Sequence, residues 1–462
     1  MIAPPTADDP TVMRLVSTRP PFEEVSLRHA VLEDPSPSGA LYLPVSLPRL
    51  SSRERDALVG LPFPEVAERI ALLLLEPMLG SDVVREIVRG AFDFPVPVVP
   101  VGERTWILEL FHGPTGSFKD FGARFLARLL PHLRKVDEGP VLILVATSGD
   151  TGGAVAEAVR GLEGVKAVVL FPRNRISDVQ RRQIQAPASS GSVIPVEVEG
   201  SFDDCQRMVK EVLADPGKGF PGTLTSANSV NVGRLIPQSF YYAYGWASLP
   251  DAERENLVVS VPSGNLGNLT AGIIAESIGI PISHFVAASN ANDAMRRYLE
   301  AGRLPEGPSL ETLSSAMDVA RPSNLERILT IYERDIPALR ERITPTRHDD
   351  AEVLEAMGRV HQERNYLMDP HTAVGYLGLE EVRQGRGAVP GLILSTADPA
   401  KFPETVLRAT GQAPPARGDW EGEGTSSEAI AAIRKGEEAT VRLGPDPDQL
   451  RTLVRNAANA IA

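Results

Sequence analysis

The hydrophobic positions of this chain change period along its length. Residues 40–44 (ALYLP) carry a short apolar run that predicts a strand, and residues 64–75 and 83–92 repeat apolar positions at helical spacing. From about residue 96 short apolar runs alternate with amphipathic ones. Residues 106–110 (WILEL) predict a strand and 121–130 a helix; 141–145 (VLILV) predict a strand and 154–159 the start of a helix. Further strands are expected at 165–171, 257–261 (LVVSV) and 392–394, with a helix over 269–277. Runs that are apolar at every position are strands buried on both faces, and strands alternating with helices give an α/β protein with parallel sheets. A final helix over 448–462 places Leu450, Leu453, Val454, Ala457 and Ile461 on one face for packing. Residues 411–427, rich in Gly, Pro, Glu and Ser, read as a linker or exposed loop.

Length and composition narrow the function without fixing it. A chain of 462 residues has room for two or three domains, and 42 % apolar with 23 % charged residues is an ordinary soluble composition. A net charge of −13 argues against nucleic acid or an anionic membrane surface as partner. The first residues, MIAPPTADDP, lack a basic stretch followed by an apolar one, and the longest apolar run, 70–75, is too short to span a bilayer. A cytoplasmic protein is the expectation. The single cysteine, Cys205, follows Asp203 and Asp204, which disfavour a thiolate, so it is read as structural. No cysteine-based metal cluster is available, and no metal is expected.

Candidate chemistry lies where ligands gather in parallel sheets, at the carboxyl ends of strands. The stretch FHGPTGSFKDFG (111–122) puts Lys119 behind two glycines and between Phe118 and Phe121, in a chain whose 47 basic residues are mostly arginines. It is not a Walker A loop, because Phe118 and Asp120 flank the lysine where Gly and Ser or Thr are required. A partly buried lysine amine can condense with a carbonyl, which arginine cannot do; the competing reading is a surface lysine at a helix start. ATSGDTGG (146–153) offers backbone N–H groups and hydroxyls at a helix N-terminus, as an anion site or as ordinary capping. PSGNLGN (262–268) spaces its glycines Gly-x-x-Gly, which fits a phosphate cradle better than a dinucleotide fingerprint and is also compatible with a tight turn. LSTADPAKFP (394–403) leaves the Ser395 and Thr396 hydroxyls at a strand end, or uses Thr396 or Asp398 as a helix cap. Together, a carbonyl-binding lysine, a phosphate cradle and polar strand ends are the parts needed to hold pyridoxal 5′-phosphate.

The motifs FHGPTGSFKDFGARF, ATSGDTGGAVA, SVNVGRLIPQ, VPSGNLGNLTAG, SSAMDVARPSN, MDPHTAVGY and STADPAKFPETV occur in this order. With them the chain resembles the threonine synthase family in its longer bacterial and fungal form, over most of its length and fading after about residue 410. The resemblance implies a fold-type II pyridoxal-phosphate enzyme, α/β, with two parallel-sheet domains and a smaller N-terminal α+β region. It implies an N-terminal region over 1–95, a large cofactor-binding domain over 96–136 and 236–462, and a small mobile domain over 137–235. By the same resemblance Lys119 is the Schiff-base lysine, which then shuttles protons. Gly264, Asn265, Leu266, Gly267 and Asn268 form the cofactor-phosphate loop, Thr396 meets the pyridine nitrogen and Asp150 the ring hydroxyl. Ser148 and Thr151 contact the substrate carboxylate, and Asn231 and Arg234 its phosphate. The implied reaction is O-phospho-L-homoserine plus water giving L-threonine plus phosphate; the alternative is a related lyase or dehydratase. Two departures bear on the substrate: PSGALYLP (37–44) stands where the family has DGGLYVP, and Asp398 where it has histidine. His112 and His371 are expected to be structural or supporting.

Overall fold

The computed structural model describes residues 13–33, 39–135, 138–304, 306–415 and 435–460. The proposed linker at 411–427 and Ile461 lie largely or wholly outside them. The chain forms two compact units: Met1–Val25, Tyr42–His112 and Leu235–Pro414 in the first; Ser26–Leu41, Gly113–Arg234 and Pro415–Ala462 in the second.

Two sheets build the first unit among the described residues. Strands β1 (Arg14–Ser17), β2 (Glu24–Val25) and β3 (Tyr42–Val45) make a small antiparallel sheet in the order β2-β1-β3. The main sheet comprises β4 (Val98–Gly102), β5 (Thr105–Glu109), β10 (Val258–Pro262), β11 (His284–Ser289), β12 (Ile343–Arg347) and β13 (Gly391–Ser395), in the order β12-β11-β10-β13-β5-β4. All neighbours pair in parallel except the β4–β5 hairpin. Strands β10, β11 and β13 are buried at every residue, the burial expected of parallel strands covered on both faces. The helix Pro370–Arg386 covers one face, with Ala373, Val374, Leu379 and Val382 packed against Val258, Val286 and Ile393.

The second unit is a parallel sheet of β6 (Val141–Ala146), β7 (Val165–Pro172), β8 (Val193–Val198), β9 (Thr223–Ser226) and β14 (Val441–Leu443), in the order β14-β8-β7-β6-β9. Leu142, Leu144, Val168, Leu170, Val196 and Val198 form a core with Cys205, Met208 and Val212 of the helix Phe202–Ala214 and with Leu450 and Val454 of the terminal helix Pro447–Asn459. Burial, with the Asp204 carboxylate adding to it, pushes the Cys205 thiol up to about 12, so this cysteine is an inert packing residue.

The units divide the chain differently from the expected domains. The boundary falls at Gly113, so the Lys119 helix belongs with the second unit. The C-terminal segment also joins that unit. Val441, Arg442 and Leu443 pair in register with Val196, Glu197 and Val198, which extends the sheet edge, and the apolar face of Pro447–Asn459 then completes the core beneath it. Among the described residues no helix is long and apolar enough to cross a membrane.

Candidate active site

In the second unit Lys119 is the first residue of the helix Lys119–Leu133, and it is half-buried. Its ammonium lies 4.8 Å from the centre of the Phe118 ring, a cation–π contact, whereas Phe121 is wholly buried. The turn before it is held by bonds from within and by one from a distant residue. The fully buried Asp120 carboxylate accepts from the Thr115 N–H at 2.9 Å and from the Thr115 hydroxyl at 2.8 Å. The Thr115 carbonyl in turn accepts from the Gln183 amide at 3.1 Å.

The loop after β6 has the same economy. Thr147 Oγ1 accepts from the Gly149 and Gly152 N–H groups, both at 2.9 Å. The N-cap of the helix Asp150–Val159 is Gly149 at φ 146°, which has no side chain to cap with, so Thr147 supplies the acceptor for the first turn; a Cβ at Gly149 would fall 2.3 Å from the Gln180 amide nitrogen. Gln180 donates to Asp150 Oδ1 at 2.9 Å, so the buried Asp150 is oriented by a residue that sequence patterning does not single out. Ser148 is exposed and Thr151 half-buried.

In SVNVGR, Asn231 departs from expectation. It is 0 % exposed, and its Nδ2 donates to the Val31 and Ser226 carbonyls at 3.0 and 2.9 Å while its Oδ1 accepts from the Gly233 N–H at 2.9 Å. Both amide donors are thereby used by the backbone, which makes Asn231 the former of the turn that presents Arg234, with no donor left for a substrate phosphate. Arg234 is buried, donates to the Ala227 carbonyl at 2.6 Å, and has its pKa lowered to about 10 by desolvation, so it remains a cation at neutral pH.

In the first unit the loop after β10 runs into the helix Gly267–Ser277. The strained residue is Leu266, buried and left-handed at φ 59°. Gly264 answers a different need: a Cβ there would lie 2.8 Å from the Met317 Cα and 3.0 Å from the Ala316 carbonyl oxygen. At the helix start Asn268 is buried, with its Oδ1 accepting from the Tyr241 and Tyr242 hydroxyls at 2.7 and 2.8 Å. Burial holds both phenols well above their ordinary pKa, so they stay protonated donors. With its oxygen so engaged, Asn268 turns Nδ2 away from them, and that buried nitrogen has no hydrogen-bond partner among the described residues. A helix N-terminus beside an unpartnered amide donor fits a phosphate ester, and the residues present therefore fit the phosphate end of pyridoxal phosphate. The Asn265 side-chain oxygen is engaged by the protein, accepting from the Ser323 N–H at 2.5 Å.

At the end of β13 the Ser395 hydroxyl is engaged at 2.7 Å with Thr372 Oγ1, which leaves the buried Thr396 as the next residue out of the strand. Asp398 caps the short turn Pro399–Lys401 by accepting from the Ala400 N–H at 2.8 Å, which accounts for an acidic residue at that position. Asp369 caps Pro370–Arg386 and accepts from His371 Nδ1 at 2.7 Å; His371 Nε2 accepts from the Ala316 N–H at 3.2 Å. These two bonds set the neutral Nδ1–H tautomer and give His371 a supporting part. His112 Nε2 lies 2.6 Å from Glu109 Oε2, and the Tyr366 hydroxyl donates to Glu109 Oε1 at 2.8 Å. Among the described residues no group of His, Cys, Asp and Glu could hold a metal ion.

The chain matches the family described as pyridoxal-phosphate dependent enzyme over residues 96–395, with the threonine synthase N terminus over 14–92 and the threonine synthase C-terminal region over 372–454. A threonine synthase of Escherichia coli (strain K12) is 40 % identical over 400 residues, spanning 87 % of this chain and 92 % of that protein. The crystal structure of threonine synthase from Escherichia coli covers 96 % of this chain and 99 % of its own at 37 % identity, with a TM-score of 0.84. A pyridoxal-phosphate-bound threonine synthase from Brucella melitensis covers the same shares at 30 % identity and the same TM-score, 0.84.

Proposed function

Because the chain belongs to the threonine synthase family of pyridoxal-phosphate-dependent enzymes, we propose that it converts O-phospho-L-homoserine and water to L-threonine and phosphate, by γ-elimination followed by β-addition of water. The observation that carries the reading is the unpartnered amide nitrogen of Asn268 at a helix N-terminus, a donor set suited to a phosphate ester, in a chain with a lysine kept at the start of the helix Lys119–Leu133.

Bound pyridoxal phosphate supplies an electron sink for negative charge that develops on the substrate carbons. Lys119 would supply the primary amine that holds the cofactor aldehyde and, when free, a positioned base for the substrate Cα proton. The N–H groups at the start of Gly267–Ser277 and Asn268 Nδ2 hold the cofactor phosphate, with Gly264, Asn265 and Leu266 shaping the loop. Thr396 would offer the ring nitrogen a neutral hydroxyl, which would not enforce a protonated ring and would so moderate the electron sink. Asp150, oriented by Gln180, addresses the ring hydroxyl. Ser148 and Thr151 take the substrate carboxylate, and the Arg234 guanidinium takes the phosphate dianion, with Asn231 placing it. The rival reading as a related lyase or dehydratase is not carried forward, since threonine synthase regions match at both ends of the chain.

A net charge of −13 keeps nucleic acid out of the proposal. We infer a cytoplasmic setting, where the buried Cys205 stays a thiol. The test is to incubate the protein with pyridoxal phosphate and O-phospho-L-homoserine and to measure threonine and phosphate together. One threonine per phosphate is expected; phosphate without threonine would mean a lyase. Lys119→Ala should remove the cofactor's visible absorption band and lower threonine formation on the order of 10³-fold. Retained turnover in that variant would overturn the mechanism.

A further inference from the structure

The phosphate loop at 262–268 is braced by a segment far along the chain. We propose that Asn324 and Arg327 are positioning residues for the cofactor phosphate, acting through the backbone of Asn265. This rests on the reading of that loop given above.

Arg327 lies on the helix Leu325–Ile331 and is 0 % exposed, as is Asn324. Its Nη1 donates to Asn324 Oδ1 at 2.6 Å and its Nε to the Tyr42 carbonyl on β3 at 2.8 Å. Asn324 Nδ2 donates to the Asn265 carbonyl at 3.0 Å. The guanidinium cannot accept a hydrogen bond, so it fixes which way the Asn324 amide faces: oxygen toward Arg327, nitrogen toward Asn265. A trans peptide sets its N–H opposite its carbonyl, so anchoring the Asn265 carbonyl turns the Leu266 N–H away from Asn324. Leu266 is also the left-handed residue, and a strained backbone persists only where its surroundings over-determine it. The Asn324 amide and the Ser323 N–H on Asn265 Oδ1 supply that restraint immediately before it.

The other end of the same segment is held as firmly. Asp318 Oδ1 accepts from Asn290 at 2.9 Å, Asn292 at 3.1 Å and the Thr312 hydroxyl at 2.7 Å, and Met317 and Ala316 beside it form the wall that excludes a Cβ at Gly264. The helix is tied to the N-terminal sheet region a second time by Glu326, which accepts from Thr18 at 2.9 Å and from Arg19 at 2.7 Å. The N-terminal strands thereby brace the phosphate loop, with Arg327 and Asn324 as the link.

The test uses purified holoenzyme, resolved and titrated separately with pyridoxal phosphate and with pyridoxal, which lacks the phosphate. In Asn324→Ala and Arg327→Met the preference for pyridoxal phosphate over pyridoxal should fall about tenfold, the worth of one well-placed donor to an anion, while pyridoxal affinity holds within about twofold. The phosphorus NMR shift of the bound cofactor should move with it. Glu326→Gln, on the same helix, should leave the preference unchanged. A preference retained in both variants overturns the proposal, as does an equal weakening for both ligands, which would mean general loss of structure. If Arg327→Met does not fold, Asn324→Ala decides alone. A wild-type protein without preference for pyridoxal phosphate would instead overturn the reading of the loop, and this proposal with it.

Discussion

Two loops of this molecule, proposed to serve one cofactor, are built in different ways. The lysine loop has a local closure, in which Asp120 accepts from the backbone and side chain of Thr115, five residues away, with Gln183 adding a bond to the Thr115 carbonyl from outside. The phosphate loop is closed from outside: Asn265 takes its partners from Ser323 and Asn324, and Gly264 packs on Ala316 and Met317. A local closure depends first on the loop's own residues. A loop closed at a distance depends on residues that never approach the ligand, and through Arg327 on a strand near the start of the chain.

The difference can be broken or sharpened by substitution. The largest effect is expected for Gly264→Ala. Its Cβ would meet main-chain atoms of Met317 and Ala316 at 2.8 and 3.0 Å, so the loop itself must shift. Displacement of about an ångström at a positioning element lowers kcat/KM roughly 10²-fold, here with weakened cofactor retention and little change in melting temperature. Steady-state kinetics with a cofactor titration checks this, and near-normal retention would show that the wall formed by Met317 is soft. Asp120→Asn should do the converse. It removes an acceptor from a wholly buried pair of bonds and should cost about 2 kcal/mol of stability by urea unfolding. An unchanged midpoint would mean that the turn is closed by another contact.

The smallest effect serves as a control within the first unit. His284 begins β11, at the amino end of that strand, with Nε2 on the Thr344 hydroxyl at 2.8 Å. Desolvation, then the nearby Arg386 charge, lower its pKa from 6.5 to about 4. Between those values the unfolded chain binds a proton that the folded one does not, so this residue's contribution to stability falls as pH drops from 6.5 towards 4 and levels off below it. His284→Gln should flatten stability across that window and leave cofactor retention unchanged. A change in retention would tie the phosphate loop to the far end of the sheet.

Much of the frame is legible in the sequence because it depends on neighbours in the chain. The run VLILV marks β6 since each of its residues is buried, and LVVSV marks β10 with a shift of one position. The short strand Thr223–Ser226 is not legible from pattern: three of the four residues of TLTS are polar, and it becomes a strand only by pairing with β6. In the candidate site, Lys119 and the Gly264–Gly267 spacing stand out as unusual residue choices. The half-buried Gln180 and the buried Tyr241, Tyr242 and Arg327 do not, because a polar side chain turned inward looks like a surface one until its partner is known. The pair Tyr241 and Tyr242 in a buried helix, and the RPSN stretch before Arg327, are the signals that could have been followed.

By itself, then, the sequence determined the alternation of strands and helices, the placing of a rare lysine at position 119, and the absence of a Walker or dinucleotide spacing. These follow from local periodicity and from the chemistry of single side chains. Only the tertiary structure decided that Asn231 turns inward and shapes a turn, that Asp398 caps one, that the C-terminal strand completes the second unit, and that Asn268 keeps one amide nitrogen unpartnered. Each of those outcomes depends on which groups compete for the same hydrogen bond, and the competitors are brought together by folding from distant parts of the chain.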